Sequence, residues 1–396
     1  MSELPGIKRT LAAAGAAAVM LAPTLALAEQ GVTATEVRIG NVLPLSGPPA
    51  LVGRAAHLGS VVAAKEANAA GGVNGRMIRI VSEDDRYIPA QSHQALKKLI
   101  SDGTFALIGT GGNANLAAML PVIDENKIPT IVSFSPSSAA VEPLRPYIFM
   151  IGADYNAIVY SQLKYIHGKL AKKGATYGII RQDDDFGVQV EKGFKRAVKE
   201  FKLKAVPVIR YKRGQKNFAA EILKIRAQKV DVLVAGGVIS ETVSMLREAS
   251  KYRMKLHIAT VPTSTLPIVI KLSSKTGYRY LSADYVAPMG SPGTAHFEKM
   301  AAKHLTEKEV GALNRYATTA YVATKVMIEA IRRCGKAVTR TCVTGKLASG
   351  AGFDTSGITP PVKFSKENHV SATALRVLGV DAKTGKVAEL TEFAVY

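Results

Sequence analysis

The chain has no tryptophan, only two cysteines among its 396 residues, and, beyond the N-terminus, no long uninterrupted apolar run. Each shortage removes a class of protein. Cys334 and Cys342 are too few for a zinc cluster and too far apart for a CxxC redox pair. The seven histidines are scattered without an HExxH pattern, and His296 and His304 have no third ligand at the expected spacing, so metal catalysis finds no support. There is neither a G-x-S-x-G nucleophile elbow nor a G-x-x-x-x-G-K-S/T phosphate loop. After residue 28, charges or prolines interrupt every apolar stretch before the roughly 18 residues a membrane helix requires, which argues against an integral membrane transporter.

What is present is ordinary globular material. A hydrophobic content of 47% supplies cores, and 34 Gly with 18 Pro are too few for collagen-like or disordered chains. At roughly 100–200 residues per domain, the length suggests two or three domains. The N-terminus differs from the rest: Lys8 and Arg9 precede an Ala- and Leu-rich run from Leu11 to Leu27, which ends in Ala26-Leu27-Ala28 before Glu29. A basic start, an apolar middle and a small-x-small end are the parts of an export signal cleaved after Ala28, and Pro23 disfavours a permanent membrane helix. No cysteine stands at the junction, so a lipid anchor is not indicated. In an oxidising compartment Cys334 and Cys342 can form a local disulfide; two buried free thiols are the alternative.

The formal charge is +21, and residues 153–283 carry 25 Lys and Arg against 10 Asp and Glu. Much of this surplus falls on stretches such as Glu191–Lys199 that read as solvated helix faces. No zinc-finger, homeodomain or RNP signature accompanies the charge, so a nucleic-acid partner is not expected.

From Glu36 onward, short β-branched runs alternate with longer amphipathic segments: strands at Val37–Leu43, Arg76–Glu83, Phe105–Ile108 and Thr130–Ser133, helices at Ala55–Ala69, Pro89–Ser101 and Asn115–Asn126. The rhythm repeats after Ile148–Gly152, with helices at Asn156–Lys172, 188–201, 218–228 and 241–251 and strands at Tyr177–Arg181, Ala205–Ile209, Val230–Ala235 and Leu256–Thr260. Apolar strands separated by helix-period stretches imply parallel sheets covered on both faces, hence two doubly wound, Rossmann-like α/β units in tandem. Two further helices, Thr294–His304 and Arg315–Arg333, precede a strand meander at Pro361–Phe364, Ala374–Val380 and Val387–Val395. A cleft between two such lobes faces the carboxyl ends of both sheets and is a natural place for a small molecule.

Gly109-Thr110-Gly111-Gly112-Asn113-Ala114 satisfies a dinucleotide fingerprint formally, but it follows the third strand, and Thr130–Ser135 ends without an acid. A tight loop whose amides and Asn113 side chain face a ligand fits better, and no cofactor is expected. Ser46-Gly47-Pro48-Pro49 reads equally as an amide donor to an anion or as a simple turn. Asp183-Asp184-Asp185 lacks the alternating spacing of a calcium loop and reads as a solvated loop.

Together these features resemble the leucine/isoleucine/valine-binding family of type I periplasmic binding proteins, the solute-binding components of ABC importers. The resemblance rests on Val37-Arg38-Ile39-Gly40 leading to Leu45-Ser46-Gly47-Pro48, Asn68–Arg76, Asp84-Asp85, Ile108-Gly109, Lys127-Ile128-Pro129-Thr130 and Asp185-Phe186-Gly187. It implies a periplasmic, non-enzymatic monomer that closes on a small-molecule ligand and presents it to an inner-membrane ABC permease. It also implies a lobe 1 of residues 29–152 plus 284–357, a lobe 2 of 153–283 plus 358–396, and three hinge crossovers near 150–153, 281–285 and 355–360. A ligand-sensing ectodomain of the same fold is the rival reading. Ligand contacts are then expected at Leu51, Val52, Asn113, Ser133, Phe134, Ser135, Phe186, Val238, Thr263 and Ser264. Amino-acid binders of the family place an acid near Pro262-Thr263-Ser264 for the ligand ammonium, yet no Asp or Glu occurs from Ala249 to Ala283. That departure favours an aromatic or other apolar carboxylate over a branched-chain or other amino acid.

Overall fold

A computed structural model of the chain describes residues 1–3, 29–47, 49–134 and 137–396. Nearly all of the expected export signal, and Ser135, lie outside the described residues.

Among these residues the chain runs β1 (Glu36–Leu43), α1 (Ala50–Ala69), β2 (Met77–Asp84), α2 (Pro89–Ser101), β3 (Ala106–Thr110), α3 (Asn113–Glu125), β4 (Thr130–Val132) and β5 (Ile148–Ile151). It continues through α4 (Tyr155–Lys169), β6 (Thr176–Gln182), α5 (Asp185–Glu200), β7 (Lys204–Ala205), β8 (Ile209–Tyr211), α6 (Ala219–Ala227), β9 (Val232–Gly236), α7 (Ser240–Lys251), β10 (His257–Ala259), α8 (Pro267–Ser273) and β11 (Arg279–Asp284). The last part contributes α9 (Ala295–His304), α10 (Glu307–Val310), α11 (Arg315–Arg333), α12 (Arg340–Leu347), β12 (Val370–Ser371), β13 (Arg376–Asp381) and β14 (Val387–Glu389).

The strands form two sheets. The first has the order β12-β5-β4-β3-β1-β2, with every pair parallel. Its central strands are apolar on both faces, as a sheet covered by helices requires: Val37, Ile39, Val42 and Leu43 of β1 are all buried. The second has the order β14-β13-β11-β10-β9-β6-β7, with β8 also pairing with β6. It is parallel from β6 to β11, and β13 and β14 add an antiparallel edge. This is the fold of two doubly wound α/β lobes expected from the alternating pattern. At α4 and α5 a side chain satisfies a first-turn amide: Asp154 accepts from the Ala157 N–H at 2.9 Å and Asp184 from the Gly187 N–H at 3.2 Å.

Several details differ from the sequence reading. The expected strand Pro361–Phe364 does not form, Val362 making only an isolated bridge to Phe353, and the strand expected at Val387–Val395 covers only Val387–Glu389. The expected strand Ala205–Ile209 is broken into β7 and β8 because Pro207 between them has no N–H for the ladder. Residues 355–360, rich in Gly, Thr and Pro, read as a crossover, but that segment stays on the first lobe. Ile358, Val362 and Phe364 are buried, the Ala287 N–H donates to the Ile358 carbonyl at 2.7 Å, and Phe353 pairs with Val362. The first sheet then gains β12 from Val370–Ser371, so the third crossing falls between β12 and β13 instead.

At the first crossing Gly152 has φ +103°, and a Cβ there would lie 2.3 Å from the Tyr285 ring of the second crossing. The two connections therefore pack against each other through a position open only to glycine. Cys334 and Cys342 are joined by a disulfide that ties the end of α11 to α12.

Candidate functional site

Between the lobes, loops at the carboxyl ends of both sheets line one narrow space that opens to solvent. Lobe 1 contributes Pro44, Pro49, Val52, Tyr87, Gly111, Gly112, Asn113, Phe134 and Tyr316; Tyr155, Phe186, Val238, Val261 and Thr263 come from the second-lobe side. Of the residues expected from sequence, Val52, Asn113, Phe134, Phe186, Val238 and Thr263 meet around this one space. Leu51 does not: its side chain is exposed, and its carbonyl accepts from Asn314 Nδ2 at 3.2 Å. Ser264 is also turned away, its hydroxyl paired with Thr260 Oγ1 at 2.6 Å inside the second lobe. Ser133 lies behind the wall, where its carbonyl accepts from the Tyr285 hydroxyl; its own buried hydroxyl has no hydrogen-bond partner among the described residues.

The walls are aromatic. Phe134 meets Tyr316 edge-on with ring centroids 4.9 Å apart, and Tyr155 meets Phe186 edge-on at the same separation. Burial pushes the phenols of Tyr87, Tyr155 and Tyr316 upward, which keeps them neutral. Sequence reasoning missed these three tyrosines, as well as Pro44 and Val261. Tyr87 was within reach, because it follows the Asp84-Asp85 pair that ends β2; Tyr155 and Tyr316 sit at helix starts whose position relative to the cleft is set only by tertiary packing.

The polar part of the lining is small. Asn113 opens α3, whose first-turn amides and positive dipole end border the space. Gly112 precedes it at φ +143°, and a Cβ there would fall 2.6 Å from the Tyr87 ring. Thr263 donates its hydroxyl to the Val238 carbonyl, tying two second-lobe loops together.

Among the described residues no carboxylate lines the space. Two acids behind the Tyr87 lip, Asp85 and Asp84, are otherwise engaged, and Glu241 borders a neighbouring space that Tyr87 and Val238 also line. Asp85 is fully buried behind Gly111 and accepts from the Tyr87 N–H at 2.8 Å, Ser92 Oγ at 2.8 Å and Asn115 Nδ2 at 2.9 Å, while burial raises its pKa. Asp84 accepts from the backbone of Leu45, Ser46 and Arg86 and from Ser46 Oγ; these bonds outweigh burial and lower its pKa. The Ser46 amide is therefore already used by Asp84.

Asp183–Asp185 is not simply a solvated loop. Asp184 is largely buried, caps α5 and accepts from Arg213 Nη2 at 2.6 Å. Glu191, expected on a solvated face, is buried and paired with Arg181 at 2.7 Å. The cationic side chains flanking the aromatic walls are likewise neutralised: Arg315, whose guanidinium lies 4.5 Å from the Tyr316 ring centre, grips Asp284, and Arg213 lies 4.1 Å over Tyr87.

Two doubly wound lobes, three chain crossings and a cleft lined from both sides define a type I two-lobe binding fold, and solved structures share it. A branched-chain amino acid ABC transporter protein from Thermus thermophilus with bound valine superposes with a TM-score of 0.81 at 22% identity, covering 93% of this chain and 98% of that one. A fatty acid ABC transporter substrate-binding protein from Thermomonospora curvata gives 0.80 at 21% identity over 93% and 95%. Residues 36–386 match the periplasmic binding protein family, and the chain belongs to it. Among curated relatives, an amino acid binding protein of Pseudomonas aeruginosa is 29% identical over 54% of this chain and 57% of its own length. A Leu/Ile/Val-binding protein homolog of Brucella abortus is 27% identical over 56% and 59%. Each match spans less than two thirds of the relative.

Proposed function

We propose that this chain is the exported solute-binding component of an ABC importer, and that it closes on a small aromatic or other apolar carboxylate. One observation carries the ligand class: the cleft is walled by Tyr87, Phe134, Tyr155, Phe186 and Tyr316, and among the described residues no carboxylate lines it. An ammonium enclosed there would lose its hydration without gaining a counter-charge, at a cost of several kcal/mol. A carboxylate can instead take hydrogen bonds from the first turn of α3 and from hydroxyls, while its apolar body stacks on the rings.

In this reading residues 1–28 are removed after Ala28, the mature protein works in the periplasm as a monomer, and an inner-membrane permease receives the closed complex. Lobe 1 comprises residues 29–152 and 284–371, and lobe 2 comprises 153–283 and 376–396. Binding needs no bond-making, only hinge closure. The fatty-acid name of the Thermomonospora structure agrees with a carboxylate ligand. A second reading, a branched-chain amino-acid binder, is favoured by the names of the Brucella and Thermus proteins.

Dye-based thermal shift of the mature protein against branched-chain amino acids, other amino acids, and aromatic and aliphatic carboxylates separates the two. A ligand at 100 times its Kd adds about 2.7 kcal/mol to stability, which is readily seen. Shifts with carboxylates but not with leucine or valine support the proposal, and the reverse pattern restores the amino-acid reading.

A further inference from the structure

One side chain bridges the lobes at the mouth of the cleft. Arg213 lies between β8 and α6 in the second lobe, where its Nη2 donates to Asp184 Oδ2 at 2.6 Å. From that anchor the guanidinium crosses to the first lobe. Its Nη1 donates to the Tyr87 carbonyl at 2.7 Å and lies 3.4 Å from Asn115 Oδ1, and its plane covers the Tyr87 ring at 4.1 Å. The planar fork of arginine suits this combined task of pairing, donating and stacking, which a lysine ammonium cannot do in the same way.

The segment it reaches is unusual. Arg86 and Tyr87 are consecutive non-glycine residues with φ +50° and +63°, a conformation L residues seldom adopt. It is held from below by Asp84, which accepts the Arg86 N–H at 2.9 Å, and by Asp85, which accepts the Tyr87 N–H at 2.8 Å. Those two bonds come from within lobe 1. The bond on the Tyr87 carbonyl comes from lobe 2, so it exists only when the lobes are together. Tyr87 is itself a wall of the cleft and packs on Gly112 of the loop that opens α3.

We infer that Arg213 is a positioning residue that links lobe closure to the shape of the binding cleft, by clamping the Arg86–Tyr87 lip only in the closed form. The inference rests on the reading of this chain as a hinge-closing binding protein, but not on the identity of its ligand. Every group in the clamp belongs to the protein, so Arg213 populates the closed form before any ligand arrives and presents Tyr87 already in place.

The test is the distance between lobes in the ligand-free protein. Spin labels on Gln94→Cys in α2 and Lys224→Cys in α6, both exposed positions, report closure by pulsed electron–electron resonance. With Arg213 intact, the distribution has a short-distance population. Arg213→Met removes the fork and keeps most of the stem, and lowers the closed-to-open ratio about tenfold, as expected for losing one charge-assisted hydrogen bond. Arg213→Lys restores only part of it, and Tyr87→Leu, which keeps the carbonyl acceptor but not the ring, has a smaller effect than Arg213→Met. Circular dichroism confirms folding of each variant; if Arg213→Met fails to fold, the lysine and leucine variants carry the test. Distributions that superimpose on the parent for all folded variants overturn the inference. No ligand is added, so a failure here is distinct from a failure of the carboxylate proposal, which the thermal-shift panel reads.

Discussion

Arg315 at the start of α11 and Asp284 at the end of β11 form a buried, two-pronged ion pair across the second crossing, with Arg315 Nη2 donating to Asp284 Oδ1 at 2.7 Å and Nε to Oδ2. Asp284 also accepts the backbone N–H of Tyr285 at 2.8 Å, and both side chains are almost wholly removed from water. The pair fixes the place where the chain returns from lobe 2 to lobe 1 and supports Tyr316 at the cleft floor.

Removing one partner leaves a buried charge without compensation. Arg315→Met or Asp284→Asn alone should cost about 3–5 kcal/mol in urea unfolding, whereas the double substitution should recover a large part of that loss. Single losses under about 1 kcal/mol would show that water reaches the pair.

The Cys334–Cys342 disulfide closes a loop with a sequence separation of eight. Loop-closure entropy of that size corresponds to about 2–3 kcal/mol. Reduction, or replacement of both cysteines by alanine, should lower the melting temperature by several degrees, and the two treatments should agree. An unchanged melting temperature would mean that α11 and α12 hold the segment without the bond.

Asp84 and Asp85 are adjacent but respond to acid in opposite directions. The Asp84 pKa is held below the ordinary 3.8, so its stabilising contribution is complete above that value and disappears as pH falls through the folded-state value. The Asp85 pKa is raised, so stability is lost as pH rises from 3.8 through its folded-state value. Urea midpoints measured from about pH 6 to about pH 3 should show the gap between the parent and Asp84→Asn narrowing with acid. Measured against Asp85→Asn, the parent should gain stability over the same range. Parallel curves for all three proteins would contradict both assignments.

If the missing acid sets ligand class, supplying one should change it. Thr263→Glu places a carboxylate at the cleft edge near the position where amino-acid binders of the resembling family carry theirs. The variant should acquire a thermal shift with leucine or valine and weaken apolar carboxylates at least tenfold through like-charge repulsion. Phe186→Ala, which removes a wall that rests on Tyr155, should weaken aromatic carboxylates more than short aliphatic ones.

Much of this architecture is legible in the sequence because parallel strands buried on both faces leave continuous apolar runs, such as Ile148–Ile151, and the intervening helices carry a 3.6-residue period. The loops after β3, β4 and β9 are legible for the same reason: a ligand cleft lies at the carboxyl ends of such strands. The rest depends on tertiary placement. Ile358 and Val362 hold a Gly- and Pro-rich segment on lobe 1, where composition alone suggests a linker. Ser264 stands next to Thr263 but turns inward to Thr260, a choice made by one rotation within a short turn. Arg213 reaches a carbonyl 126 residues earlier in the chain, a contact that no local pattern encodes.

On the proposed reading the cleft accepts a carboxylate and refuses an ammonium. Calorimetric titration with matched pairs tests it most directly: leucine against 4-methylpentanoate, and phenylalanine against 3-phenylpropanoate, each pair sharing chain and carboxylate and differing in the amino group. The amine-free member of at least one pair should bind at least tenfold more tightly. Tighter binding of leucine or phenylalanine than of its amine-free counterpart would contradict it.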